Sequence, residues 1–542
     1  MTSTEAAGGP SPVAPPAAPA PEPHTAPRRP WPLAAEAALL AAAGALQTLA
    51  FVHTAAWALP IATLALLVWR LDAATPRRAA LLGWLYGTAW LAAGTWWLFI
   101  SMSRYGGLPA PLAAAAVAAL SAALSLYLAL AAAAYARWRS ADGRGALDAP
   151  LFAALWLLAE LARGVLFTGF PWVAAGYSQV DAPLAAVAPW LGVYGLGALM
   201  ALAAAGAVQL LRTRGRRWGA ATAAAAVVAL AHAGPADFTT PTGTLEAALL
   251  QTNVPQDEKF ATEHLPANLV WVQRELLRAT APLVVAPETA VPLLPDQLRE
   301  FAPGYWEQLQ AHFAVPGRAA LVGVPLGDFE RGYTNSVVGL SAAHLAEPHR
   351  YDKWHLVPFG EFIPTGFRWF TRLMNIPLGD FARGVTHPPP FEALGQRFGP
   401  NICYEDLFGE ELARRFADAR TAPTVMVNLS NIGWFGDSIA IDQHLHISRL
   451  RTLELQRPML RSTNTGATAA IDHRGQVTAF LPPHTRGVLV APVEGREGLT
   501  PYSRWVSRLG LWPLALGAAA VLAVVLLRAG KGAGRRRGAA SD

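Results

Sequence analysis

The chain has 542 residues, 53% of them hydrophobic and 15% charged, with a formal net charge of +6 and one cysteine. A charged share so far below the roughly 25% of ordinary soluble domains excludes a wholly soluble protein, and a single cysteine excludes an intramolecular disulfide. The basic excess sits in short links between apolar stretches, so it reports membrane topology and contact with anionic lipid, not a nucleic-acid groove.

Residues 1–31 are dominated by Pro, Ala, Ser and Thr. They cannot bury enough apolar surface to offset chain entropy and are expected to be a disordered cytoplasmic tail. No cleavable signal pattern is present, so the first apolar segment reads as a retained anchor. A helix crossing the hydrocarbon needs roughly 20 mostly apolar residues. Residues 32–234 supply seven such segments, near 33–52, 54–71, 79–101, 109–136, 150–169, 184–211 and 217–234. A polar domain is expected over 240–507, an eighth span over 508–528, and a short basic tail over 529–542.

Arginines in short loops resist translocation and set orientation. Arg28 and Arg29 precede the first span; Arg70, Arg77 and Arg78 flank the second link; Arg137, Arg139 and Arg144 follow the fourth span; Arg212, Arg214, Arg216 and Arg217 follow the sixth. The alternate loops carry almost none, apart from Arg104. Every second loop is then cytoplasmic, which puts the polar domain outside and returns Lys531, Arg535, Arg536 and Arg537 to the cytoplasm.

Within the polar domain, short β-rich runs such as "LEAALLQTNV", "RAALVGVPLG" and "TVMVNLSN" alternate with helical patterns over 297–313 and 441–457. Such alternation predicts an α/β sandwich with functional groups at strand ends. Three stretches end strands with unusual polar residues: Glu288 in "VVAPETAVP", Lys353 in "YDKWHLVPFGEFIP", and Cys403 in "GPNICYEDLFG". A thiol becomes a strong nucleophile when a carboxylate takes its proton and a cation favours the thiolate. Glu288 suits the base. Lys353, helped by the main-chain N–H after Cys403, suits support of the thiolate and of a tetrahedral oxyanion.

These residues resemble the Glu-Lys-Cys pattern of the carbon–nitrogen hydrolase (nitrilase) superfamily. With eight spans, and with "APETAVP", "YDKWHLVPFGEFIP", "NICYED" and "NLSNIGWFGDS" together, the resemblance narrows to the apolipoprotein N-acyltransferase family and covers roughly residues 33–528. It implies a polytopic α-helical membrane domain plus an αββα domain on the extracytoplasmic face of the bacterial inner membrane. It implies a cysteine that takes an acyl chain from a phospholipid as a thioester and passes it to the amino group of a diacylglyceryl-cysteine on an apolipoprotein. By matching position Glu288 is the base, Lys353 the oxyanion and thiolate support, and Cys403 the nucleophile. Glu361 is the carboxylate behind the lysine, and Tyr404 and Glu405 shape the pocket behind the thiol. The family implies no metal or organic cofactor and no partner beyond its lipid and lipoprotein substrates, so a monomer is expected. The sequence departs from the family at Phe260, in "LQTNVPQDEKF", where the commoner ending "LKW" carries tryptophan; an aromatic ring there still suits the lining of an acyl groove.

Other readings stand beside these. Glu288 and Lys353 taken alone also fit a buried ion pair. Asp442, His444 and His446 invite a metal site, but histidines two apart do not share a helix face and no HExxH arrangement is present. Trp434 and Phe435 fit either a packed loop or an aromatic lip over an acyl chain. Asn428, Ser430, Asn431 and Asn464 fit either hydrogen bonding around the site or strand caps. Glu160 either pairs with Arg163 or faces a lipid path. Three rival functions remain: a membrane-tethered amidase that gives its acyl group to water, a transporter, and an inactive scaffold. Eight spans favour a lipid substrate over a small amide. A transporter predicts internal repeats that the sequence lacks, and the intact pattern speaks against a scaffold.

Overall fold

The computed structural model describes residues 31–140, 145–212, 237–367 and 381–538. The expected disordered tail up to residue 30 and the expected span near 217–234 lie outside the described residues. Among those described, five helical runs are long and apolar enough to cross a membrane: Leu33–Phe51, Thr54–Leu71, Ala110–Trp138, Asp148–Thr168 and Pro183–Arg212.

The expected span over 79–101 is different. Its helix, Pro76–Gly94, begins with Arg77 and Arg78 and is not among the five apolar runs. It stops at Thr95, where the chain passes through a short turn into a π-helix over Ser101–Tyr105. The span expected over 184–211 is interrupted at Gly192, which adopts φ 66°. A side chain there would meet the Tyr502 ring at 2.3 Å. The break frees the N–H of Val193, which donates to Glu454 Oε1 of the polar domain at 2.7 Å. The last span, expected over 508–528, falls on a helix that follows a sharp corner. Helix Pro501–Leu509 meets helix Trp512–Arg528 at 88°, with Gly510 at φ 56° forming the corner. The helix then continues to Gly538.

At one end of the bundle Arg70 and Arg78 converge on the buried Glu36, and Arg212 pairs with Asp72. These arginines therefore do more than mark topology, because each neutralises an acid held under the helix ends. The polar domain docks on the opposite end.

That domain contains, among the described residues, two six-stranded sheets. The first has the order β12-β1-β2-β3-β4-β5, from β1 (Thr239–Gln251), β2 (Leu283–Ala286), β3 (Ala319–Asp328), β4 (Gly332–Ser341), β5 (His349–Asp352) and β12 (Gly487–Gly498). The second has the order β11-β10-β9-β8-β7-β6, from β6 (Phe391–Ala393), β7 (Gln396–Ile402), β8 (Val425–Ser430), β9 (Met459–Thr463), β10 (Thr468–Ile471) and β11 (Val477–Leu481). In each sheet three central strands run parallel: β1, β2 and β3 in one, β7, β8 and β9 in the other. Parallel strands deliver their following loops to one edge, and the polar residues of interest lie there.

Alternation along the strands builds the layers. Ala247 and Leu249 of β1 face the second sheet, where they meet Val427, Leu429 and Leu460. Ala248 and Leu250 face helices Leu265–Arg278 and Tyr305–Phe313. The outer face of the second sheet, with Met426 and Met459, packs on helix Ala440–Leu455. This is an αββα sandwich. Its last helical layer is continuous with the membrane core: Phe408, Ile441 and Leu450 belong to the same buried cluster as Trp90, Trp156 and Met200 of the bundle. A shared core of this kind fixes the two parts against each other more firmly than the polar contacts usual between domains.

Candidate active site

Glu288 leaves the end of β2 in a tight turn whose next residue, Thr289, has φ 52°. The turn rests directly on β3. A side chain at Gly323 would lie 2.2 Å from Pro287 O and 2.8 Å from Glu288 Cα. Only glycine allows that approach, and the atoms in the way are backbone. Gly323→Ala is therefore expected to push the Glu288 turn out of place. Misplacement by about 1 Å costs about a hundredfold in rate, to be read as slower covalent labelling of Cys403 by an acyl donor in protein that still gives a cooperative melt. An unchanged rate would separate the turn from the chemistry.

The Glu288 carboxylate is held on both oxygens. Asn335 Nδ2 donates to Oε1 at 2.7 Å and the main-chain N–H of Asn431 to Oε2 at 2.7 Å. The same Asn335 amide donates to Glu361 Oε1 at 2.8 Å, so one side chain on β4 bridges two carboxylates. Lys353 follows β5 and is 1% exposed. Its Nζ lies 2.9 Å from Glu361 and 3.6 Å from Glu288. Burial works against the ammonium, but Glu361 and then Glu288 outweigh it and hold Lys353 above the usual lysine range. Glu361 is fixed in turn by the Val357 N–H at 2.8 Å.

Cys403 stands where β7 turns into the short helix Cys403–Leu407, with φ 51°. A left-handed backbone is uncommon for a non-glycine residue and is a known mark of strained functional turns. The thiol is half-buried. Burial, and then the Glu288 charge, push its pKa up, while Lys353 and the Asn431 N–H work the other way. It rests as a thiol facing a carboxylate. The Cys403 carbonyl accepts from Asn428 Nδ2 at 3.3 Å and from His444 Nε2 at 3.2 Å. Burial keeps His444 neutral. Its Nδ1 faces Arg461 at 3.2 Å and accepts, which leaves the proton on Nε2 for Cys403. The His444 ring also stacks on Trp172 of the membrane domain at 5.7 Å.

Glu405 is a clamp. Its Oε2 accepts from Ile402 N at 2.7 Å and from the Tyr351 hydroxyl, and its Oε1 from Trp354 N at 2.8 Å and His355 N at 3.2 Å. It ties the Lys353 loop to the Cys403 turn. Tyr404 reaches into the membrane domain, donating to Gly169 O at 3.3 Å. Phe435 packs on Trp97 with ring centres 4.2 Å apart and Trp434 meets Tyr105 at 5.8 Å, so both aromatic residues sit where the two domains join. Phe260 is 48% exposed.

The remaining sequence candidates fall away from the thiol or serve its frame. Asn428 and Asn431 bond within the site, while Asn464 binds Asn431 Oδ1 and the Val254 backbone, and Ser430 ends β8. Glu160 pairs with Arg163 at 2.8 Å and accepts from Ala175 N. His446 lies 3.2 Å from Val52 O. Asp442, His444 and His446 do not converge, and no group of three His, Cys, Asp or Glu among the described residues is placed to hold a metal.

Two residues escaped the sequence reading. Asn335 had a usable signal, since an amide interrupts the apolar alternation of "TNSVVGL" on β4. Lys259 had none. In "PQDEKF" it reads as a solvated charge, yet it is 5% exposed and its Nζ donates to the Glu288 carbonyl at 2.9 Å.

Residues 43–206 match the family model described as the apolipoprotein N-acyltransferase N-terminal domain, and residues 246–502 match the carbon-nitrogen hydrolase model. The chain is 53% identical over 480 residues to the apolipoprotein N-acyltransferase of Verminephrobacter eiseniae (strain EF01-2), covering 84% of this chain and 89% of that protein. It is 45% identical over 477 residues to the apolipoprotein N-acyltransferase of Ralstonia nicotianae, covering 86% and 89%. It is also similar to the carbon-nitrogen hydrolase from Helicobacter pylori G27, at 15% identity and a TM-score of 0.35, covering 50% of this chain and 94% of that one. With identity of that order to curated relatives running through both the membrane helices and the domain that carries Glu288, Lys353 and Cys403, the chain belongs to the apolipoprotein N-acyltransferase family.

Proposed function

We propose that this chain transfers an acyl chain from a phospholipid, through a thioester on Cys403, to the N-terminal amino group of a diacylglyceryl-cysteine on apolipoproteins. The observation that carries the reading is that a thiol, an anchored carboxylate and a buried ammonium meet at strand ends, directly above a membrane bundle that shares their core. In the first half-reaction Glu288 takes the thiol proton and the sulfur attacks the ester carbonyl carbon. Lys353 and the Tyr404 N–H stabilise the oxyanion. Collapse breaks the ester C–O bond, and the lysophospholipid alkoxide leaves with the proton from Glu288. In the second, the acceptor amine attacks the thioester carbonyl, gives up a proton to Glu288, and the Cys403 sulfur leaves and is reprotonated. Two transfers through one sulfur predict ping-pong kinetics.

The position of the basic residues supports a catalytic domain on the extracytoplasmic side of the bacterial inner membrane. Arg70, Arg78 and Arg212 gather at the bundle end away from the docked domain, and cytoplasmic loops are the arginine-rich ones. A tethered amidase would use the same residues on a water-filled site. Acyl transfer is favoured because the turn bearing the nucleophile rests on the membrane-domain Trp172 through His444.

The test is intact mass after incubating the detergent-solubilised chain with phosphatidylethanolamine alone. An acyl-sized gain, removed by hydroxylamine and missing in Cys403→Ala, is expected. A folded wild type that gains no mass in lipid-containing micelles would overturn the phospholipid-donor mechanism in favour of the amidase.

A further inference from the structure

The acyl-transfer chemistry above uses one cation, but two more face the site: Arg461, which also faces the Cys403 sulfur but is paired with Asp406 at 3.2 Å, and Lys259. Lys259, on the loop after β1, is buried beneath the Glu288 turn with its Nζ 2.9 Å from the Glu288 carbonyl oxygen. A buried ammonium is costly unless an anion meets it, and a neutral carbonyl does not repay that cost. The charged groups facing Lys259 are the Glu288 carboxylate after β2 and, when ionised, the Cys403 sulfur after β7. Behind them stand Lys353 and Glu361, which pair with each other. On its own loop Asp257 points to the rim, 3.6 Å from Arg104 of the membrane domain. Glu405 is met by four donors of its own and stands outside this set.

We propose that Lys259 is a positioning residue of the active site, anchoring the Glu288 turn through its main-chain carbonyl and supplying the second positive charge that, with Lys353, keeps the buried site neutral while the Cys403 proton moves to Glu288. With the thiol protonated, Glu288 and Glu361 are balanced by Lys353 and Lys259. When the proton has passed to Glu288 and the oxyanion has formed, the negative charges are Glu361 and the oxyanion, and the same two ammoniums balance them. Without Lys259 each of these states carries one uncompensated negative charge in a buried site, where screening is weak. The cost of holding this second cation shows in Lys259 itself, whose pKa burial pushes down to about 8 despite the pull of Glu288.

Use in acyl transfer rests on the thioester reading; the test does not. Cys403 is the chain's only cysteine, so iodoacetamide alkylation followed by intact mass reports one site. The pH dependence of that rate is measured on the full chain in detergent for wild type, Lys259→Met, Lys259→Gln and Lys259→Arg, after a thermal melt has selected the folded variants. Lys259 carries its charge only below about pH 8, so loss of that charge is expected to slow labelling at neutral pH by about tenfold and to leave the alkaline end of the profile unchanged. Lys259→Gln, which retains a donor but no charge, is expected to behave like Lys259→Met, and Lys259→Arg like wild type. A Met or Gln profile that superimposes on wild type overturns the proposal, as does an Arg variant that shifts as far as Met. The phosphatidylethanolamine experiment is run on the same preparations. No adduct in wild type together with a shifted alkylation profile would remove the lipid reading and leave Lys259 in its role; adduct with unshifted profiles would do the reverse.

Discussion

Lys353→Met is expected to abolish thioester formation from phospholipid and to lower the thermal midpoint. The side chain it replaces is 1% exposed and stands between two carboxylates, 2.9 Å from Glu361 and 3.6 Å from Glu288. Methionine fills the volume but leaves both acids sharing the Asn335 amide, with no cation at Glu361 and only Lys259 facing Glu288. Breaking a buried pair by removing one partner costs about 3–5 kcal/mol, because the partner left behind keeps its desolvation penalty. The chemical loss is larger still. On the proposed mechanism the variant loses oxyanion support, worth about 10²–10³ in rate for one well-placed donor, and also one of the charges that oppose Glu288 at the Cys403 thiol. Intact mass over hours of incubation and a detergent-phase melt measure the two effects separately. A variant that acylates within tenfold of wild type would remove Lys353 from the chemistry and leave it a structural ion-pair partner.

Glu288→Gln is expected to slow acyl-enzyme formation by about 10²–10⁴, the usual contribution of a positioned base, with a far smaller effect on folding. Glutamine can still accept from one of the two donors that hold the carboxylate, Asn335 Nδ2 or the Asn431 N–H, but its own NH₂ then faces the other. One mismatched buried hydrogen bond costs about 1–3 kcal/mol, less than the loss of Lys353. The variant thus separates charge from geometry: a normal melt with a collapsed single-turnover rate assigns proton removal to Glu288. Equal loss of both would mean that the residue chiefly holds the Asn335 strand and the Asn431 loop together.

The fold was legible where composition and periodicity are strong. Five apolar runs and the strand-helix alternation of the polar domain follow from burial patterns that any solvent boundary enforces. The corners were not legible. Gly192 and Gly510 look like ordinary glycines of apolar helices, and only contact with Glu454 and Tyr502 of the docked domain makes a break at the first of them favourable. Across the span expected over 79–101 the helix Pro76–Gly94 gives way at Thr95 and the chain goes on to a π-helix over Ser101–Tyr105, breaks that hydropathy does not register.

What the sequence alone determined is the set of reactive groups: one thiol, with acids and a lysine at the ends of β-rich runs, together with a membrane-bound class of fold. Those are properties of residue type and local spacing. The tertiary structure decided how the groups are partnered. Asn335, on a strand of its own, couples Glu288 to Glu361. Lys259, which reads as a surface charge, ends up buried under the base, because two separate loops converge where parallel strands end. His444, one of the supposed metal ligands, instead links the Cys403 carbonyl to a membrane-domain tryptophan. Hydrogen-bond partnership and burial depend on residues far apart in the chain, and no local pattern encodes them.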